Sequence, residues 1–373
     1  MTNKKVLVVL ESDEIGGAEV FAYDHVSLLK AKGYNVSILF LFGQPNHFYN
    51  NYSFSNIELI YCNIKHRWSI FEVFTKFIFN KKLKYYEIYW SHLYFSILYS
   101  RLKKIFNNRI KIISFLHDTL IHRNIRYPLW IKFTDYIYKI SFKLDNFIMA
   151  TSEYCKNEYY TEFNLKNINQ YYGHLNMINI NNALKDFKNK PRKNNKKYSI
   201  LVPASIKKQK GHILILEAMI LLNKKYGINN LELIFVGGIS EYKRVLDNFI
   251  KKNNLNKSVI FLGALDQKNL YSKILSSNLI ILPSFFEPLG TAILQSIALR
   301  SNVLISDQTG LFNELKLLGI PSFKNGNFES LADNIFKNIQ NKENSKNIDL
   351  SYKISKKFSM QSNLYKLERY IND

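Results

Sequence analysis

A carboxylate, a glycine, a threonine and a glutamine lie close together in the sequence around residue 290. Glu287 and Gly290 fall in a turn after a short apolar run, Asn278–Pro283, and Thr291 begins a helical pattern. The free backbone N–H groups and the dipole of a helix N-terminus both attract an anion. Gln295 follows one helical turn after Thr291 and can reach the same pocket. This stretch therefore predicts an anion-binding pocket that also offers a carboxylate and an amide.

Two glycines occupy the first turn of a βαβ unit near the N-terminus. The apolar run Lys5–Leu10 predicts a buried parallel strand, Ala18–Lys32 a helix, and Val36–Phe42 the next strand. Gly16 and Gly17 precede the helix, at the turn where open α/β sheets bind ligands. Two glycines before a helix also fit simple turn chemistry, so both interpretations stay open for this pair on its own.

Two histidines stand at the ends of predicted strands in the first half of the chain. His92 ends the strand Glu87–His92, and His117 follows the strand Lys111–Leu116. The carboxyl ends of parallel strands lie on the ligand side of an α/β sheet. We therefore expect a functional role for His117, whereas for His92 we expect a structural one.

The composition is that of a folded protein large enough for two domains. With 373 residues, 47% of them hydrophobic, the chain can bury two ordinary cores. The apolar run at the N-terminus is too short for a signal peptide, and no run reaches the length of a membrane-spanning helix. Cys62 and Cys155 match neither a disulfide framework nor a metal motif. We therefore expect a cytosolic compartment.

The net charge of +23 favours anionic partners such as nucleic acid, anionic lipid or nucleoside diphosphates. Lys, Asn, Ile, Tyr and Phe are abundant together, so part of the charge reflects compositional bias. The charge therefore indicates a basic surface and does not by itself indicate a function. Among these partners we expect no nucleic acid.

Strands and helices alternate along most of the chain, which predicts an α/β fold of two doubly wound, Rossmann-like domains. The stretch Asn181–Lys197 has a proline, many charges and little apolar periodicity, so we expect it to be the linker. The domains expected on either side are residues 1–180 and 198–353. A last helical pattern, Met360–Ile371, lies in the remaining segment, 354–373.

The turn around Glu287 resembles the donor-site signature of retaining GT-B glycosyltransferases, in particular glycosyltransferase family 4. In that family a Pro-Ser strand end leads to a glutamate in an E-x-x-G turn, and a second glutamate follows after seven residues. Glu287 holds the first place, and Gln295 stands in the second. Gly16-Gly17-Ala18-Glu19 is similar to the G-G-A-E of the same family. The family's later S-D-x-x-G-x-x-E pattern is similar to Ser306, Asp307, Gly310 and Glu314, although the glutamate stands one position later than in the pattern.

The resemblance implies roles for residues of the donor-binding, C-terminal domain. Glu287 would hold hydroxyls of the transferred sugar, and Gln295 would bind the ribose with its amide oxygen in place of a carboxylate. Further donor-binding residues are implied in the turn (Leu289, Gly290 and Thr291) and in the lysine-rich loop (Lys207, Lys210 and Gly211).

The lysine-rich loop differs from the family pattern at one position. The family places an arginine five residues before a lysine–glycine pair, and the two cations neutralise the donor diphosphate. Lys210-Gly211 matches the pair, but Ser205 stands where the arginine is expected. Lys207 or Lys208 could supply the missing charge. A solvated cluster of lysines before a helix is the alternative interpretation.

For the N-terminal, acceptor-binding domain, the resemblance implies glycines at Gly16 and Gly17 that approach the donor phosphate or the acceptor. His117 would face the donor sugar across the cleft between the domains. The segment 354–373 would return to the N-terminal domain. The sequence contains no D-x-D, so we expect no metal, and no cofactor besides the UDP- or GDP-sugar substrate.

The implied activity is retaining transfer of a hexose-type sugar to a saccharide or polyprenyl-linked saccharide in bacterial surface polysaccharide synthesis. Aromatic and basic residues alternate in two predicted helices, Ile70–Lys84 and Leu93–Phe106, and favour peripheral attachment to the inner face of the cell membrane. Helices packed on the sheet with solvated lysines are the alternative. The residues expected at the membrane are Phe71, Phe74, Phe77, Ile78, Lys76, Lys81, Lys82, Lys84, Arg101, Lys103 and Lys104.

Two other functions are consistent with parts of the sequence. The first is a catalytically degenerate GT-B fold that acts as a basic peripheral membrane or anion-binding protein, which Ser205 and Gln295 would favour. The second is a GT-B enzyme such as a sugar-nucleotide epimerase, whose family fits the E-x-x-G helix less well. Stabilisation of the protein by UDP or GDP would separate a real nucleotide site from the first alternative.

Overall fold

The computed structural model describes residues 4–13, 16–43, 57–117, 131–188, 197–340 and 346–372. The chain folds into two compact units. The first comprises the chain up to Gly173 together with the segment from Met360 onward, and the second is His174–Ser359. Each unit contains a parallel sheet with helices against it, so the predicted α/β fold class is confirmed.

The first unit is built around a parallel sheet. The described strands are β1 (Lys5–Leu10), β2 (Asn35–Phe42), β3 (Glu58–Ile64), β4 (Ile88–His92), β5 (Lys111–Leu116), β6 (Phe147–Ala150) and β7 (Ile168–Gln170). Their order is β3-β2-β1-β4-β5-β6-β7. The chain builds outward from β1 in both directions, so the topological switch point, where such sheets bind ligands, lies at the carboxyl ends of β1 and β4.

Alternate residues of β1 enter two cores, one on each face of the sheet. Val6, Val8 and Leu10 belong to one buried cluster, whereas Leu7 and Val9 belong to the other. Burial on both faces explains why the sequence of this strand is an uninterrupted apolar run. The described helices of this part of the chain are α1 (Gly17–Ala31), α2 (Ile70–Val73), α3 (Tyr94–Phe106), α4 (Ile131–Ser141) and α5 (Glu153–Phe163).

The second unit has a smaller parallel sheet of the same kind. Its described strands are β8 (Tyr198–Pro203), β9 (Leu231–Val236), β10 (Val259–Phe261), β11 (Leu279–Leu282), β12 (Val303–Ser306) and β13 (Ser322–Phe323). The order is β10-β9-β8-β11-β12-β13, so the switch point lies between β8 and β11. The helices are α6 (Met177–Lys188), α7 (His212–Tyr226), α8 (Lys243–Lys252), α9 (Gln267–Ser276), α10 (Thr291–Ala298), α11 (Phe312–Leu317), α12 (Phe328–Gln340) and α13 (Lys346–Phe358).

The last helix, α14 (Met360–Asn372), belongs to the first unit although it follows the second in sequence. Leu364, Leu367 and Ile371 are buried in the same cluster as Val6 and Val8 of β1. Polar contacts hold the helix as well, because Lys32 Nζ lies 2.8 Å from a carboxylate oxygen of Glu368. The segment therefore completes the core beneath one face of the first sheet.

The stretch predicted as a linker, Asn181–Lys197, begins inside helix α6. This helix is anchored in the second unit by the buried Ile180 and by a hydrogen bond of 2.6 Å from Asn179 Nδ2 to Gln267 Oε1. Its many polar residues lie on the remaining faces, which explains why its apolar periodicity is weak in the sequence. Residues 189–196 of the expected linker lie outside the described part of the chain.

The predicted amphipathic helix over Ile70–Lys84 differs from the observed structure. α2 continues as a π-helical turn, Phe74–Ile78, and a 3₁₀-helix follows at Lys81–Tyr85. Phe77 and Ile78 are buried in the core, so the expectation that they enter a membrane is wrong. The expectation fails because the two helical turns place these side chains against the first sheet, beside Leu83 and Tyr89.

Two of the cations that were expected to meet lipid are also buried. Arg101 makes a bidentate ion pair with Asp145, at 2.8 and 2.5 Å. Lys103 Nζ donates hydrogen bonds to the carbonyl oxygens of Phe77 and Ile78, and burial lowers the pKa of this lysine to about 8. Both residues therefore make polar contacts inside the first unit and are not available to lipid headgroups. Among the described helices, none combines the length and the apolar character that crossing a membrane requires.

Candidate active site

The turn between β11 and α10 carries most of the predicted site. Gly290 immediately precedes α10 with φ of 83°, a left-handed conformation that L side chains rarely adopt. A Cβ atom here would also meet the methyl group of Thr309 at 3.2 Å. Glycine offers no side-chain oxygen to cap the helix, and the Ile293 N–H donates to the Gly290 carbonyl at 2.9 Å, so the N–H groups of Thr291 and Ala292 remain available to an anion.

A second loop, between β8 and α7, packs directly against this turn. The Phe285 N–H donates a hydrogen bond of 2.9 Å to the Gln209 carbonyl. Gly211 immediately precedes α7 with φ of 69°, and a Cβ atom there would lie 1.9 Å from the Pro283 carbonyl oxygen. Gly211 is therefore required for the close approach of the two loops, which brings the lysine-rich segment to the switch point of the sheet.

The approach of the two loops brings Lys210 and Glu287 together. Lys210 Nζ lies 2.6 Å from Glu287 Oε2, and the two side chains are 17% and 16% exposed. The Ser284 hydroxyl donates a second hydrogen bond to the same carboxylate oxygen, at 3.3 Å. A cation and a carboxylate thus lie side by side next to the start of α10.

The backbone of Glu287 is fixed by the loop that follows β12. Its N–H donates to the Gln308 carbonyl at 3.3 Å, and its carbonyl accepts from Gly310 N at 2.7 Å. A Cβ atom on Gly310 would lie 1.9 Å from the Pro288 carbonyl oxygen. Gly310, a member of the S-D-x-x-G-x-x-E pattern, therefore allows this loop to hold the turn that presents Glu287.

Gln295 lies on α10 one turn beyond Thr291 and is 7% exposed. Within the described part of the chain its side chain makes no hydrogen bond with another residue. Leu289 is buried, and Thr291 is half-buried. The amide of Gln295 is therefore available to a ligand in a site that is largely shielded from water.

The positive charge of the lysine-rich loop comes from its lysines and not from the adjacent His212. This histidine is fully buried as the first residue of α7, and burial lowers its pKa to about 4. Lys207 is exposed at the start of the 3₁₀ turn Lys208–Lys210, so Lys210 is the lysine that reaches Glu287.

The predicted residues of the first unit lie at the carboxyl ends of its strands. A Cβ atom on Gly16 would lie 2.2 Å from a carboxylate oxygen of Glu19, so the glycine makes room for this side chain; Gly17 has no such neighbour within 4 Å. His117 follows β5, and its Nε2 lies 2.8 Å from Nδ1 of His92 at the end of β4. The structure therefore pairs the histidine expected to be functional with the one expected to be structural.

Family models match both halves of the chain. The model described as Glycosyltransferase Family 4 matches residues 15–169, and the model described as Glycosyl transferases group 1 matches residues 185–354. The chain belongs to the glycosyltransferases of this group 1, family 4 type. The predicted family is thus confirmed. A search of curated protein sequences finds no match.

Solved glycosyltransferase structures share the fold of this glycosyltransferase. A sucrose-phosphate synthase from Thermosynechococcus elongatus superposes with a TM-score of 0.79 at 16% identity, over 99% of this chain and 98% of the other. HepE from Anabaena, in complex with UDP and glucose, superposes with a TM-score of 0.80 at 14% identity, over 99% of this chain and 100% of HepE. WaaG, a glycosyltransferase involved in lipopolysaccharide biosynthesis, superposes with a TM-score of 0.68 at 14% identity, over 98% of this chain and 99% of WaaG. The GT-B architecture predicted from the sequence is confirmed by this similarity.

Two residues of the glycosyltransferase that the sequence analysis did not assign support the Glu287 turn. Ser284 bonds the carboxylate, and its position is signalled by the Pro-Ser strand end of the family pattern. Asn325 donates from Nδ2 to the Phe285 carbonyl at 2.9 Å, and its N–H donates to Asp307 Oδ1 at the same distance. No local pattern marks Asn325, because its partner Phe285 is 40 residues away in sequence.

Glu314, which stands one position beyond the end of the S-D-x-x-G-x-x-E spacing, does not contact the Glu287 turn as Gly310 does. It lies in the first turn of α11 and forms an ion pair of 2.6 Å with Lys357 of α13. The first-turn carboxylate is favourable at the positive end of a helix dipole. The ion pair of Glu314 with Lys357 therefore links α11 to α13.

Proposed function

We propose that this glycosyltransferase moves a hexose-type sugar from a UDP- or GDP-sugar to an acceptor hydroxyl, with retention of anomeric configuration. The observation that carries the proposal is the 2.6 Å contact of Lys210 and Glu287 beside the uncapped start of α10. A nucleoside-diphosphate sugar needs such a combination, because it presents phosphate oxygens and sugar hydroxyls within a few atoms of one another. Retention is proposed from the family resemblance.

Lys210 and the N-terminus of α10 are suited to stabilise the departing diphosphate. Negative charge accumulates on the phosphate oxygen as its bond to the anomeric carbon breaks. The ammonium group of Lys210 and the free N–H groups at Gly290–Thr291 would meet this charge in a site with little access to water. The lysines of the adjacent turn, Lys207 and Lys208, add to the positive potential.

Glu287 is suited to hold the sugar while positive charge develops on it. The transition state of glycosyl transfer resembles an oxocarbenium ion. A carboxylate accepts hydrogen bonds from hydroxyl groups and stabilises nearby positive charge. When the donor is bound, phosphate would satisfy Lys210 and sugar hydroxyls would satisfy Glu287, so neither half-buried charge would lose its partner. Gln295 would bind the ribose, and His117 is proposed to bind the transferred sugar.

The positive charge of Lys210 and α10 removes the need for a metal ion at the diphosphate. The sequence has no D-x-D that would bridge a metal to it. We therefore expect the transfer rate to be unchanged by excess EDTA.

The proposed acceptor is a saccharide, in particular one linked to a polyprenyl carrier in bacterial surface polysaccharide synthesis. The similarity to WaaG supports the polysaccharide part of the proposal. Exposed apolar side chains on the first unit support a lipid-linked acceptor. Among the aromatic residues of this region, Phe74, Phe79 and Phe106 contact one another with ring centroids 5.6 to 5.8 Å apart.

We name this surface the aromatic patch and define it by Trp68, Ile70, Phe71, Phe74, Phe79, Ile105 and Phe106. Phe71 is 78% exposed, and the lysines of the neighbouring 3₁₀-helix, Lys81, Lys82 and Lys84, are exposed as well. Apolar side chains flanked by lysines favour the boundary of an anionic bilayer. We propose peripheral attachment at the inner face of the cell membrane through this patch.

Assay of turnover with a panel of UDP- and GDP-sugars tests the donor proposal. The wild-type protein should release nucleoside diphosphate from one donor class and be stabilised thermally by the matching nucleotide. Glu287→Ala should lower transfer about 100-fold or more with little change in melting temperature. Lys225→Ala, which breaks the exposed ion pair with Asp333, is the matched control and should keep full activity.

The outcomes separate the candidate functions. Near-normal turnover by Glu287→Ala would contradict the assigned role of this carboxylate. Nucleotide stabilisation without any transfer or hydrolysis, across the whole panel, would favour the degenerate binding protein.

A further inference from the structure

A groove on the first unit brings lysines together from separate segments of the chain. Its volume is about 690 Å³, within the range of about 300–1,000 Å³ that ligand-binding clefts occupy. We name it the lysine groove and define it by Lys139, Lys143, Asn146, Asn164, Lys166 and Asn167. Asn146 immediately precedes β6 and Asn167 immediately precedes β7, so the groove lies at the amino ends of these strands. The histidines His92 and His117 lie at the opposite, carboxyl-end edge of the same sheet.

The lysines of the groove are not paired with other groups of the described chain. Lys139, Lys143 and Lys166 are exposed, and none of them makes an ion pair or a hydrogen bond with a described residue. Asp145 also lines the groove, but its carboxylate is held by Arg101 in a bidentate ion pair. The groove therefore has three positive charges and, among its described lining residues, no other carboxylate to neutralise them.

Stabilisation of helix ends explains only part of this arrangement. Lys139 lies in the last turn of α4, where a cation interacts favourably with the helix dipole. Lys104 of α3, however, donates to the Leu144 carbonyl at 2.7 Å, at the end of the 3₁₀ turn that follows α4. The groove lysines make no such bond to a described carbonyl, and Lys166 lies outside both helices. Their ammonium groups thus remain available to a ligand.

Asparagines supply a second kind of binding group. The Oδ1 atom of Asn146 accepts from Lys104 Nζ at 2.7 Å and from Ile112 N at 2.9 Å. These two bonds fix the orientation of the amide, and its Nδ2 donates to no described residue. The exposed side chains of Asn164 and Asn167 also make no hydrogen bond within the described chain. Amides both donate and accept, which suits hydroxyl groups, whereas ammonium groups suit phosphate.

The lysine groove adjoins the aromatic patch through the end of α3. Lys104 contacts Leu144 and Asn146, so the last turn of this helix borders the groove. The next two residues of the helix, Ile105 and Phe106, belong to the patch and are 63% and 54% exposed. Groups that suit phosphate and hydroxyls therefore lie directly beside apolar side chains. Phospholipid headgroups at the edge of the acyl region present the same combination.

We propose that the lysine groove binds the phosphate of an anionic phospholipid headgroup, while its asparagines meet the headgroup hydroxyls. The inference rests on the proposed attachment of the first unit to a membrane, and it assigns a lipid chemistry to that attachment. Charge-assisted hydrogen bonds to phosphate are about twice as strong as neutral ones. Binding in the groove is therefore saturable and depends on the headgroup, whereas diffuse attraction depends on the surface charge alone.

Vesicles of matched charge test this headgroup dependence. Phosphatidylcholine vesicles contain either phosphatidylglycerol or, at equal surface potential, oleate, which offers a carboxylate in place of a phosphate headgroup. We expect the wild-type protein to bind the phosphatidylglycerol vesicles about ten-fold more tightly. The combined substitutions Lys139→Gln, Lys143→Gln and Lys166→Gln should abolish this preference. Retention of the full preference by this groove variant would overturn the proposal.

The matched control removes the same charge elsewhere. Lys251→Gln, Lys252→Gln and Lys268→Gln change exposed lysines of α8 and α9 in the second unit and should leave the preference intact. Equal losses of phosphatidylglycerol binding in the two triple variants would show diffuse attraction and overturn the proposal. Since the substituted lysines are exposed in both variants, both should keep the wild-type melting temperature.

Soluble phosphates distinguish a lipid headgroup from a dissolved anion. At constant ionic strength, excess sn-glycerol 3-phosphate should remove the wild-type preference for phosphatidylglycerol vesicles and should leave binding of the groove variant unchanged. Calorimetric titration with inorganic phosphate and with sn-glycerol 3-phosphate gives the complementary result. Groove-dependent binding of either soluble phosphate, without any preference for phosphatidylglycerol, would assign the groove to a dissolved anion and overturn the lipid proposal.

The failure of this proposal is distinguishable from that of the proposed function. Vesicle binding is measured on the full-length protein without donor or acceptor, so an absence of sugar transfer leaves it unaffected. Phe71→Ser should weaken binding to both kinds of vesicle, because burial of the ring does not depend on the headgroup. Binding that depends on the patch but shows no headgroup preference would overturn the groove proposal and leave the attachment intact. A wild type that binds neither kind of vesicle would overturn both and leave the transferase assay to decide the activity.

Discussion

Lys210 and Glu287 form an ion pair that is poorly explained by stability. Both side chains are less than one-fifth exposed, so each charge has lost part of its hydration. In such places the desolvation penalty offsets much of the Coulombic attraction, and a buried pair is weak evidence of stabilisation. A site that must hold phosphate and hydroxyl groups gains from keeping both charges in place and partnered until a substrate binds. Binding therefore explains the pair better than folding does.

Gln295 provides a residue-scale prediction. Gln295 is 7% exposed, and its side chain makes no hydrogen bond with another described residue, so a ribose hydroxyl would supply one. Gln295→Glu should preserve nucleotide affinity because it keeps an acceptor oxygen. Gln295→Leu should weaken affinity by about 1–3 kcal/mol, since the ribose hydroxyl would lose its partner. Isothermal titration with UDP or GDP measures the difference.

Gln340→Leu is the matched control for this series, because Gln340 is exposed at the end of α12 in the same unit. It should leave nucleotide affinity at the wild-type value. Equal affinities in the wild type, Gln295→Glu and Gln295→Leu would show that Gln295 is merely part of the helix surface.

At the residue scale, the sequence identified the types of group in the site but not their contacts. Glu287 and Lys210 were each assigned through a local pattern and the family resemblance. Their mutual contact joins residues 77 positions apart, and it depends on Gly211 and Pro283 meeting without a Cβ between them. No local pattern encodes such an approach. The hydrogen bond between His92 and His117 is of the same kind, since it depends on the pairing of β4 with β5.

At the element scale, central strands were the easiest to predict. Lys5–Leu10 and Lys111–Leu116 have the predicted bounds, because strands buried on both faces are apolar runs between polar residues. β3 lies at the edge of its sheet and has alternating burial, whereas β13 has two residues. Such elements take their pairing from tertiary contacts, and the sequence analysis did not predict them.

The C-terminal helix provides the element-scale prediction. Leu367 of α14 is fully buried in a core that also contains Trp90, whereas Tyr365 is 61% exposed. Leu367→Ala should destabilise the first unit by about 2–5 kcal/mol, because it removes packed methyl groups and leaves a cavity. Tyr365→Ala should change stability by no more than about 0.5 kcal/mol.

Tryptophan fluorescence during denaturant unfolding measures this effect in the first unit alone. The three tryptophans, Trp68, Trp90 and Trp130, all precede Gly173. An unchanged fluorescence midpoint for Leu367→Ala would show that α14 contributes little to the first core, contrary to its packing.

At the scale of the whole molecule, the net charge of +23 acts together with the placement of apolar side chains. The sequence predicted one continuous membrane-facing helix over Ile70–Lys84, but the structure divides the same residues between the core and the surface. Phe77 and Ile78 complete the core, while Phe71 and Phe79 stay exposed. Composition can indicate a basic, aromatic surface, but the assignment of each side chain to core or surface requires the path of the chain.

The aromatic patch leads to a prediction for vesicle binding. The wild-type protein should sediment with anionic vesicles at low salt, remain in solution with neutral vesicles, and be released by added salt, because the lysines supply the long-range attraction. Phe71→Ser and Phe79→Ser should each weaken partitioning about 10- to 150-fold, since burying a phenylalanine contributes about 1.5–3 kcal/mol. The exposed position of both rings predicts that the two variants keep the wild-type melting temperature.

Tyr160→Ser is the matched control for the vesicle assay, because Tyr160 is an exposed aromatic residue of α5 outside the patch. It should bind vesicles as the wild type does. If all three variants lose binding equally, contact is spread over the basic surface and is not made by the patch. If the wild type ignores anionic vesicles at low salt, attachment to a membrane is contradicted, and a water-soluble saccharide acceptor becomes the better hypothesis for the same donor site.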